Sequence, residues 1–245
     1  MNSLAIFDID GTLTNTNTVD DTCYRAAVAE TIGLPVSAID WTGAPHHSDR
    51  GIFDWLFERL GRPLPSDADV ALARRRLTDR LTTAKAETPE QFTAIEGAPH
   101  VFEHLIAGGW NIAIATGCWL PSAMIKLAAG AIDARDIPIA CADDAAARVD
   151  IVTLARQRAE AFYGRQFDRV VSIGDGVWDV EAAHALELPF IGIGHGERKA
   201  RLQRAGATTI VENYVDLASF MRALDSAAVP GSPERRRAPR RRRQT

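Results

Sequence analysis

Short apolar runs and helical patterns follow one another along this chain, and this arrangement limits its fold more than any other feature. The runs are continuous instead of alternating with polar residues, which is typical of strands buried on both faces of a sheet. Strands that alternate with helices indicate a parallel sheet covered by helices. We therefore predict an α/β fold with a doubly wound, mostly parallel, Rossmann-like sheet. The predicted strands span residues 4–7, 111–115, 170–173, 190–193 and 208–211.

A long segment without a comparable strand separates the first apolar run from the second. Residues 16–95 carry apolar residues at spacings of three and four, in stretches divided by prolines. A connection of this length would be anomalous as a loop, so we predict a helical domain inserted into the α/β domain. The predicted helices span residues 18–32, 48–60 and 67–86, and the α/β domain comprises residues 1–15 and 96–228.

The last residues, 229–245, differ in composition from the rest of the chain. They contain seven of the 28 basic residues and one of the 32 acidic residues. We predict a disordered basic tail, which could bind RNA, anionic lipid or an acidic partner, or have no dedicated role. The remainder has 21 basic and 31 acidic residues, a net charge of −10, which argues against nucleic-acid binding by the folded part.

The cysteines and the apolar segments bear on the compartment. Cys23, Cys118 and Cys141 are odd in number and widely spaced, so they indicate neither a disulfide framework nor a zinc site. The sequence shows no export signal and no apolar run long enough to span a bilayer. We therefore expect a cytoplasmic protein with no membrane partner.

Two carboxylates stand one residue apart where the first predicted strand ends. Residues two apart in a strand point to the same side, so Asp8 and Asp10 can face one pocket, and Gly11 allows a sharp turn after them. In open parallel sheets, ligands bind at the edge formed by the carboxyl ends of the strands. The pair suits phosphoryl transfer, with one carboxylate as nucleophile and the other as acid and base. Alternatively, an Asp-Gly pair can simply form a turn.

The stretch Phe-Asp-Ile-Asp-Gly-Thr-Leu, residues 7–13, resembles the first signature of the haloacid dehalogenase-like hydrolase superfamily. Most members are magnesium-dependent phosphatases that form an aspartyl-phosphate. The resemblance implies that Asp8 is the nucleophile, and that Asp10 protonates the leaving oxygen and then activates water. It also implies that the inserted helical domain, residues 16–95, is a cap that closes over the pocket and selects substrate. The superfamily's dehalogenases lack a carboxylate at the second position, so Asp10 favours a phosphatase.

Two further segments resemble the phosphate-binding signatures of the superfamily. Thr116 and Gly117 follow an apolar run, and the resemblance implies that they hold phosphoryl oxygens. Arg148 stands where the superfamily usually has lysine, and the resemblance implies that it supplies a fixed cation. Alternatively, Thr116 only ends a strand, and Arg148 forms an ordinary ion pair at the start of a helix. The candidates for that ion pair are Asp143, Asp144 and Asp150.

The segment 170–179 resembles the metal-binding signature, an apolar run followed by Gly-Asp and a second aspartate four residues later. The resemblance implies that Asp8, the backbone carbonyl of Asp10 and Asp175 bind Mg²⁺ directly. Asp179 would act through water or orient the other groups. Few carboxylates suffice, because Mg²⁺ keeps several of its waters. Alternatively, Asp175 is only the N-cap of the following helix.

Within the cap, residues 45–50 resemble the His-Thr-Asp stretch of phosphoglycolate phosphatase-like members. The sequence departs from that stretch at Ser48, where threonine is usual, and has an additional His46. His47 and Arg50 are the candidates for substrate specificity, and the alternative is that both are surface residues at the start of a helix.

Together these features predict a Mg²⁺-dependent phosphatase that hydrolyses a small phosphorylated molecule through an aspartyl-phosphate. Two alternatives stay open. One is a phosphomutase of the β-phosphoglucomutase type, whose cap should offer additional cations for a bisphosphate. The other is a non-catalytic binding protein with the same fold. The sequence identifies neither the substrate nor the oligomeric state.

Overall fold

The computed structural model describes residues 2–231, in which one sheet of six parallel strands forms the centre of the α/β domain. The strands are β1 (Ser3–Phe7), β2 (Trp110–Ala115), β3 (Ile139–Ala140), β4 (Arg169–Gly174), β5 (Phe190–Ile193) and β6 (Thr209–Val211). They lie in the order β3-β2-β1-β4-β5-β6. The central strand β1 therefore has β2 on one side and β4 on the other, and the strand order reverses there.

Nine α-helices accompany the sheet within residues 2–231. They are α1 (Asn17–Ile32), α2 (Asp49–Arg59), α3 (Asp67–Glu87), α4 (Ala98–Ala107), α5 (Leu120–Ala129), α6 (Arg148–Tyr163), α7 (Val177–Ala185), α8 (Gly196–Arg204) and α9 (Leu217–Ser226). Helices α4, α5 and α9 pack on one face of the sheet, and α6, α7 and α8 pack on the other.

Strand β1 shows why the apolar runs are continuous. Ala5 and Phe7 pack into the core on one face of the sheet, and Leu4 and Ile6 pack into the core on the other face. All four residues are at most 1% exposed. Because helices cover both faces of the strand, the side chains from Leu4 to Phe7 are all apolar.

The predicted fold class is confirmed. The sheet is parallel and doubly wound, and the helical cap is inserted in the chain between β1 and α4. Each of the five predicted strands is present, with ends that differ by at most one residue. Strand β3 was not predicted. Its two residues, Ile139 and Ala140, pair with the end of β2 and are too few to show any periodicity in the sequence.

The cap contains helices α1, α2 and α3 between β1 and α4, and it has an apolar core of its own. Phe53 and Leu77 are fully buried in that core, and Trp119, which precedes α5, packs into it from the α/β domain. The cap is therefore seated directly on α5. The domain boundaries at residues 15, 95 and 228 stay a prediction. Residues 232–245, most of the predicted basic tail, lie outside the described residues.

The ends of three strands bring the predicted site residues together. Phe7 pairs with Ile114 of β2 and with Ile173 of β4, so β1, β2 and β4 end side by side. Asp8, Thr116 and Asp175 each follow one of these ends, and the sheet order alone makes them neighbours. Within residues 2–231, no helix has both the length and the apolar character that crossing a membrane requires.

Candidate active site

A cavity of about 220 Å³ lies between the cap and the carboxyl edge of the sheet. Its α/β side contains the ends of β1 and β2 and the start of α6. Its cap side consists of residues from α1, from the loop before α2 and from α2 itself. The lining residues that bear on chemistry are Asp8, Asp10, Thr116, Gly117 and Arg148 from the α/β domain, and Asp20, Asp21, Trp41, His47 and Asp49 from the cap.

Asp8 stands at the centre of the site and is 6% exposed. Its backbone N–H donates to the carbonyl of Ile173, which extends the pairing of β1 with β4 by one residue. Its Oδ1 accepts a hydrogen bond of 2.6 Å from Nη2 of Arg148. Burial raises the pKa of Asp8 to about 7, against the opposing charge of Arg148 and with added repulsion from Asp179 and Asp10. A cation placed beside this carboxylate would favour its ionised form.

Arg148, the first residue of α6, is 7% exposed and joins two carboxylates. Its Nη2 binds Asp8, and its Nε donates to Oδ1 of Asp179 at 2.7 Å. Its ion pairs within the described residues are with Asp8 and Asp179, and not with the three alternative partners. Asp143 pairs with Arg74, Asp144 pairs with Arg158, and Asp150 is exposed. The planar guanidinium suits this arrangement, because its separate nitrogens reach the two carboxylates in a fixed geometry.

Asp175 and Asp179 complete an acidic group with Asp8. One ligand oxygen from each lies within 4.8 Å of the other two, and all three residues are buried. Asp179 also accepts a hydrogen bond of 3.0 Å from the backbone N–H of Gly176, the residue before α7. The side chain that binds a backbone N–H at the start of this helix is therefore that of Asp179 and not that of Asp175. The alternative role of Asp175 as an N-cap residue therefore has no support in the structure.

Asp175 carries an unsatisfied atom. Its Oδ1 is buried and has no hydrogen-bond partner among the described residues, and its Oδ2 has only longer contacts to Asn17 and Arg198, each at 3.4 Å. Burial and the charge of Asp8 raise the pKa of Asp175 well above its ordinary value. Gly11 has φ +73°, and a Cβ there would collide with Asp175. Such an oxygen-only, partly unsatisfied set fits a hard divalent cation such as Mg²⁺.

Asp10 is held by three donors from different segments. Thr16 Oγ1 donates to its Oδ1 at 2.6 Å, while Cys118 Sγ and Lys126 Nζ approach its Oδ2 at 2.9 and 2.8 Å. Burial would raise the pKa of Asp10, but the charge of Lys126 and these hydrogen bonds outweigh it and hold the pKa below its ordinary value. The contacts therefore favour the ionised carboxylate, which is the form that can accept a proton.

Lys126 and Cys118 are site residues that the sequence analysis missed. Lys126 lies on α5 and is fully buried, and its Nζ also binds Asp20 of α1 at 2.5 Å and Cys118 at 3.0 Å. One signal was available, since Lys126 is the only charged residue in helix α5, which is otherwise mostly apolar. A charged residue in such a helix is buried at high cost unless it has partners.

Thr116 and Gly117 lie at the end of β2, as predicted. Thr116 is fully buried, and its Oγ1 accepts a hydrogen bond from the N–H of Cys118 at 3.2 Å. The carbonyl of Gly117 accepts a hydrogen bond from the N–H of Asp49 at 2.7 Å, and a Cβ on Gly117 would lie 2.9 Å from the carbonyl oxygen of His47. The absence of a side chain at Gly117 lets the cap loop approach the strand end closely.

The two predicted specificity residues are not brought to the same place. His47 lines the cavity, and its ring stacks on Trp178 with the centroids 4.8 Å apart. Partial burial and the charge of Arg148 lower the pKa of His47. Arg50 instead donates from Nε to Asp54 at 2.8 Å and lines a different cavity, between α2 and α3. The structure therefore leaves Arg50 outside the active-site cavity.

Comparisons with known proteins agree with this geometry. A family model described as haloacid dehalogenase-like hydrolase matches residues 3–186 of the 245. No curated protein sequence matches the chain significantly.

Three solved structures show the same fold. A hydrolase from Pseudomonas syringae superposes with a TM-score of 0.68 at 23% identity, covering 93% of this chain and 100% of that one. A β-phosphoglucomutase from Clostridium difficile has a TM-score of 0.66 at 15% identity, with 92% and 98% covered. A predicted phosphoglycolate phosphatase from Haemophilus somnus has a TM-score of 0.58 at 16% identity, with 90% and 98% covered.

The family match spans β1 to the end of α7, the part of the chain that carries the cap and all the strand ends of the site. The chain is therefore a member of the haloacid dehalogenase-like hydrolases, an enzyme family.

Proposed function

We propose that this protein is a Mg²⁺-dependent phosphatase that hydrolyses a small phosphomonoester through an aspartyl-phosphate on Asp8. The observation that carries the proposal is the environment of Asp8 at the sheet edge. Its carboxylate is buried at the cavity, bound by Arg148, and placed beside the partly unsatisfied Asp175. A second carboxylate, Asp10, lines the same cavity.

In the first step, an Asp8 oxygen attacks phosphorus in line with the ester bond. The new bond joins Asp8 to phosphorus, and the bond between phosphorus and the ester oxygen breaks. Asp10 gives its proton to the departing oxygen, which leaves as an alcohol. The contacts of Asp10 favour its ionised form, so its protonated form must be favoured by the negative charge of the incoming phosphate.

In the second step, Asp10 takes a proton from a water molecule, which attacks phosphorus and releases Asp8. Inorganic phosphate is the product. Thr116 and the Gly117 backbone are suited to hold the phosphoryl oxygens, because both lie beside Asp8 at the neighbouring strand end. Arg148 stabilises the charge that builds up on those oxygens in both steps.

The metal would be held by the carboxylates of Asp8 and Asp175 and by the backbone carbonyl of Asp10. When bound, Mg²⁺ neutralises the repulsion between a phosphate dianion and the Asp8 carboxylate. Asp179 binds both Arg148 and the start of α7, which suits a residue that orients the metal-binding groups. The orphaned oxygen of Asp175 supports this assignment.

The charge of the cavity favours a phosphatase over a phosphomutase. Among the described residues that line it are five carboxylates and one guanidinium, that of Arg148. The cap side contributes Asp20, Asp21 and Asp49, and no arginine or lysine, whereas a bisphosphate would need a second cation there. The same reasoning disfavours a leaving group with a carboxylate at its far end. The substrate class is therefore a small phosphomonoester whose leaving group is not anionic.

A non-catalytic binding protein is the less economical alternative. Such a protein would have no need of a buried nucleophile, a fixed cation and an acid and base around one cavity, and each of these is costly to bury.

The test is release of inorganic phosphate from a panel of small phosphomonoesters, with Mg²⁺ and with EDTA. We expect metal-dependent release for the full chain, and none for Asp8→Asn. A bisphosphorylated sugar should be a poorer substrate than the monophosphate of an uncharged sugar. Migration of phosphate along a sugar without release would instead establish the phosphomutase, and the absence of both would establish the non-catalytic alternative.

A further inference from the structure

Lys126 forms a buried ionic bridge between the α/β domain and the cap. Its side chain is fully buried, with Nζ 2.8 Å from Asp10 Oδ2 and 2.5 Å from Asp20 Oδ1. Asp10 lies three residues after the end of β1, Asp20 lies in the first turn of the cap helix α1, and Lys126 lies in α5. Three separate elements thus meet at one ammonium group.

A bridge of this kind is not explained by stability alone. Taking an ammonium and two carboxylates out of water costs several kcal/mol per ion, and apolar residues of similar volume often stabilise a core as well or better. The surroundings of Lys126 on α5 are apolar, with Ile125 and Leu127 as its neighbours in the chain. The charge at this position therefore calls for a reason connected with its partners.

The contacts of Asp10 supply that reason. Three donors fix its carboxylate, from Thr16, Cys118 and Lys126. Lys126 is the charged member of the three, and the one that also binds the cap. It also donates to Cys118, so it orients the thiol that shares Asp10 Oδ2 with it. Removing Lys126 would loosen two of the three contacts that determine where this carboxylate points.

We propose that Lys126 is a positioning residue, which holds the carboxylate of Asp10 in the orientation for proton transfer to the leaving oxygen. This inference rests on the proposed phosphatase function. Through Asp20 the same ammonium group also contacts the cap helix α1.

A comparison of two esters tests this role. An alkyl phosphate needs a proton on its departing oxygen, whereas p-nitrophenyl phosphate has a leaving group that departs without one. Because kcat/KM reports steps up to cleavage of the ester bond, we expect Lys126→Met to lower it about 10²-fold for the alkyl ester and less than about threefold for the aryl ester. Lys199→Met, the same change at an exposed position of α8, should alter neither.

Two further variants separate positioning from folding. Lys126→Met leaves two buried carboxylates without their cation, so the double variant Lys126→Met with Asp20→Asn carries a smaller charge imbalance while still lacking the contact to Asp10. It should fold and show the same selective loss. In an Asp10→Asn background, Lys126→Met should cause no further loss with the alkyl ester, because the group it positions is already gone.

If Lys126→Met lowered kcat/KM equally for the two esters, or lowered it further in the Asp10→Asn background, the proposal would be overturned and Lys126 would be a structural residue. Unchanged kinetics would overturn it as well. If the unaltered chain released phosphate from neither ester, the proposed function itself would fail, and this role with it. That failure is distinguishable, because it appears in the unaltered chain and not only in the Lys126 variants.

Discussion

The guanidinium of Arg148 lies 2.6 Å from the carboxylate of Asp8, although 140 residues separate the two in the chain. The contact exists because β1 is the central strand of the sheet and α6 begins at the same edge. Arg148 uses a different nitrogen for Asp179, so one side chain fixes two of the three buried carboxylates. Its loss should affect both stability and activity.

Replacing Arg148 by Met should destabilise the metal-free protein by about 3–5 kcal/mol, since it leaves Asp8 and Asp179 buried without a counter-ion. Arg148→Lys should keep most of this stability but lower kcat, because an ammonium cannot bind both carboxylates in the geometry of a planar guanidinium. Urea unfolding and phosphate release measure the two effects. Equal stability of the Met and Lys variants would contradict the assigned role.

Mg²⁺ should stabilise the protein through Asp175. At a hundredfold excess over Kd, a bound ion adds about 2.7 kcal/mol and raises Tm by several degrees. Asp175→Asn should lose this shift, and without metal it should be at least as stable as the unaltered chain, because the carboxylate is buried with an orphaned oxygen. Asp133→Asn, at an exposed position, is the matched control and should retain the full shift. A shift that survives in Asp175→Asn would place the metal elsewhere.

His47 should act on substrate binding more than on chemistry. Its ring lines the cavity against Trp178, and its lowered pKa favours the neutral form. We expect His47→Ala to raise KM several-fold with a smaller change in kcat. His46→Ala, at the neighbouring residue, which does not line the cavity, is the control. If both variants had the same KM as the unaltered chain, His47 would be a surface residue and not a substrate contact.

The buried Asp49 should make the stability of the cap depend on pH. Burial and the charge of Asp20 raise the pKa of Asp49 well above its ordinary value, although Lys126 and the N–H of Trp119 oppose this. Above the ordinary pKa the folded protein therefore holds a proton that the unfolded chain releases. Its contribution to stability is fully present at low pH and is lost as pH rises, by at most about 1.4 kcal/mol per pH unit.

Asp49→Asn removes this dependence and can keep the hydrogen bond from Trp119, which an amide oxygen also accepts. Its advantage in unfolding free energy over the unaltered chain should therefore grow between about pH 5 and about pH 8. Asp67→Asn, at an exposed position in the first turn of α3, is the control and should show no such trend. An advantage that stays constant with pH would contradict the assignment.

The sequence was sufficient to predict that the residues at the strand ends lie close together. Asp8, Thr116 and Asp175 follow apolar runs, and parallel strands place their carboxyl ends at one edge, so the meeting of these residues follows from topology. The partners of Arg148 could not be predicted in this way, because three acidic residues close to it in the sequence, Asp143, Asp144 and Asp150, were also available. Only the sheet order decides between Asp8 and the acidic residues next to Arg148 in the chain.

The direction in which a side chain points from a helix could not be predicted from the sequence. Arg50 and His47 are three residues apart, yet Arg50 turns to Asp54, one helical turn along α2, and leaves the cavity. Lys126 was missed for a related reason. Its partners Asp10 and Asp20 come from segments more than a hundred residues earlier, and a single lysine in a short apolar helix gives no indication of which carboxylates it meets.

The central claim is that the phosphoryl group passes through Asp8, and trapping that intermediate tests it most directly. The Asp10→Asn chain should be mixed with p-nitrophenyl phosphate and Mg²⁺, quenched in acid and digested for mass spectrometry. Because this variant lacks the base for the second step, we expect one added phosphoryl group on the peptide that contains Asp8, and none when Asp8 is also changed to Asn. Phosphate release by the unaltered chain with no phosphoryl group ever found on Asp8 would contradict the account.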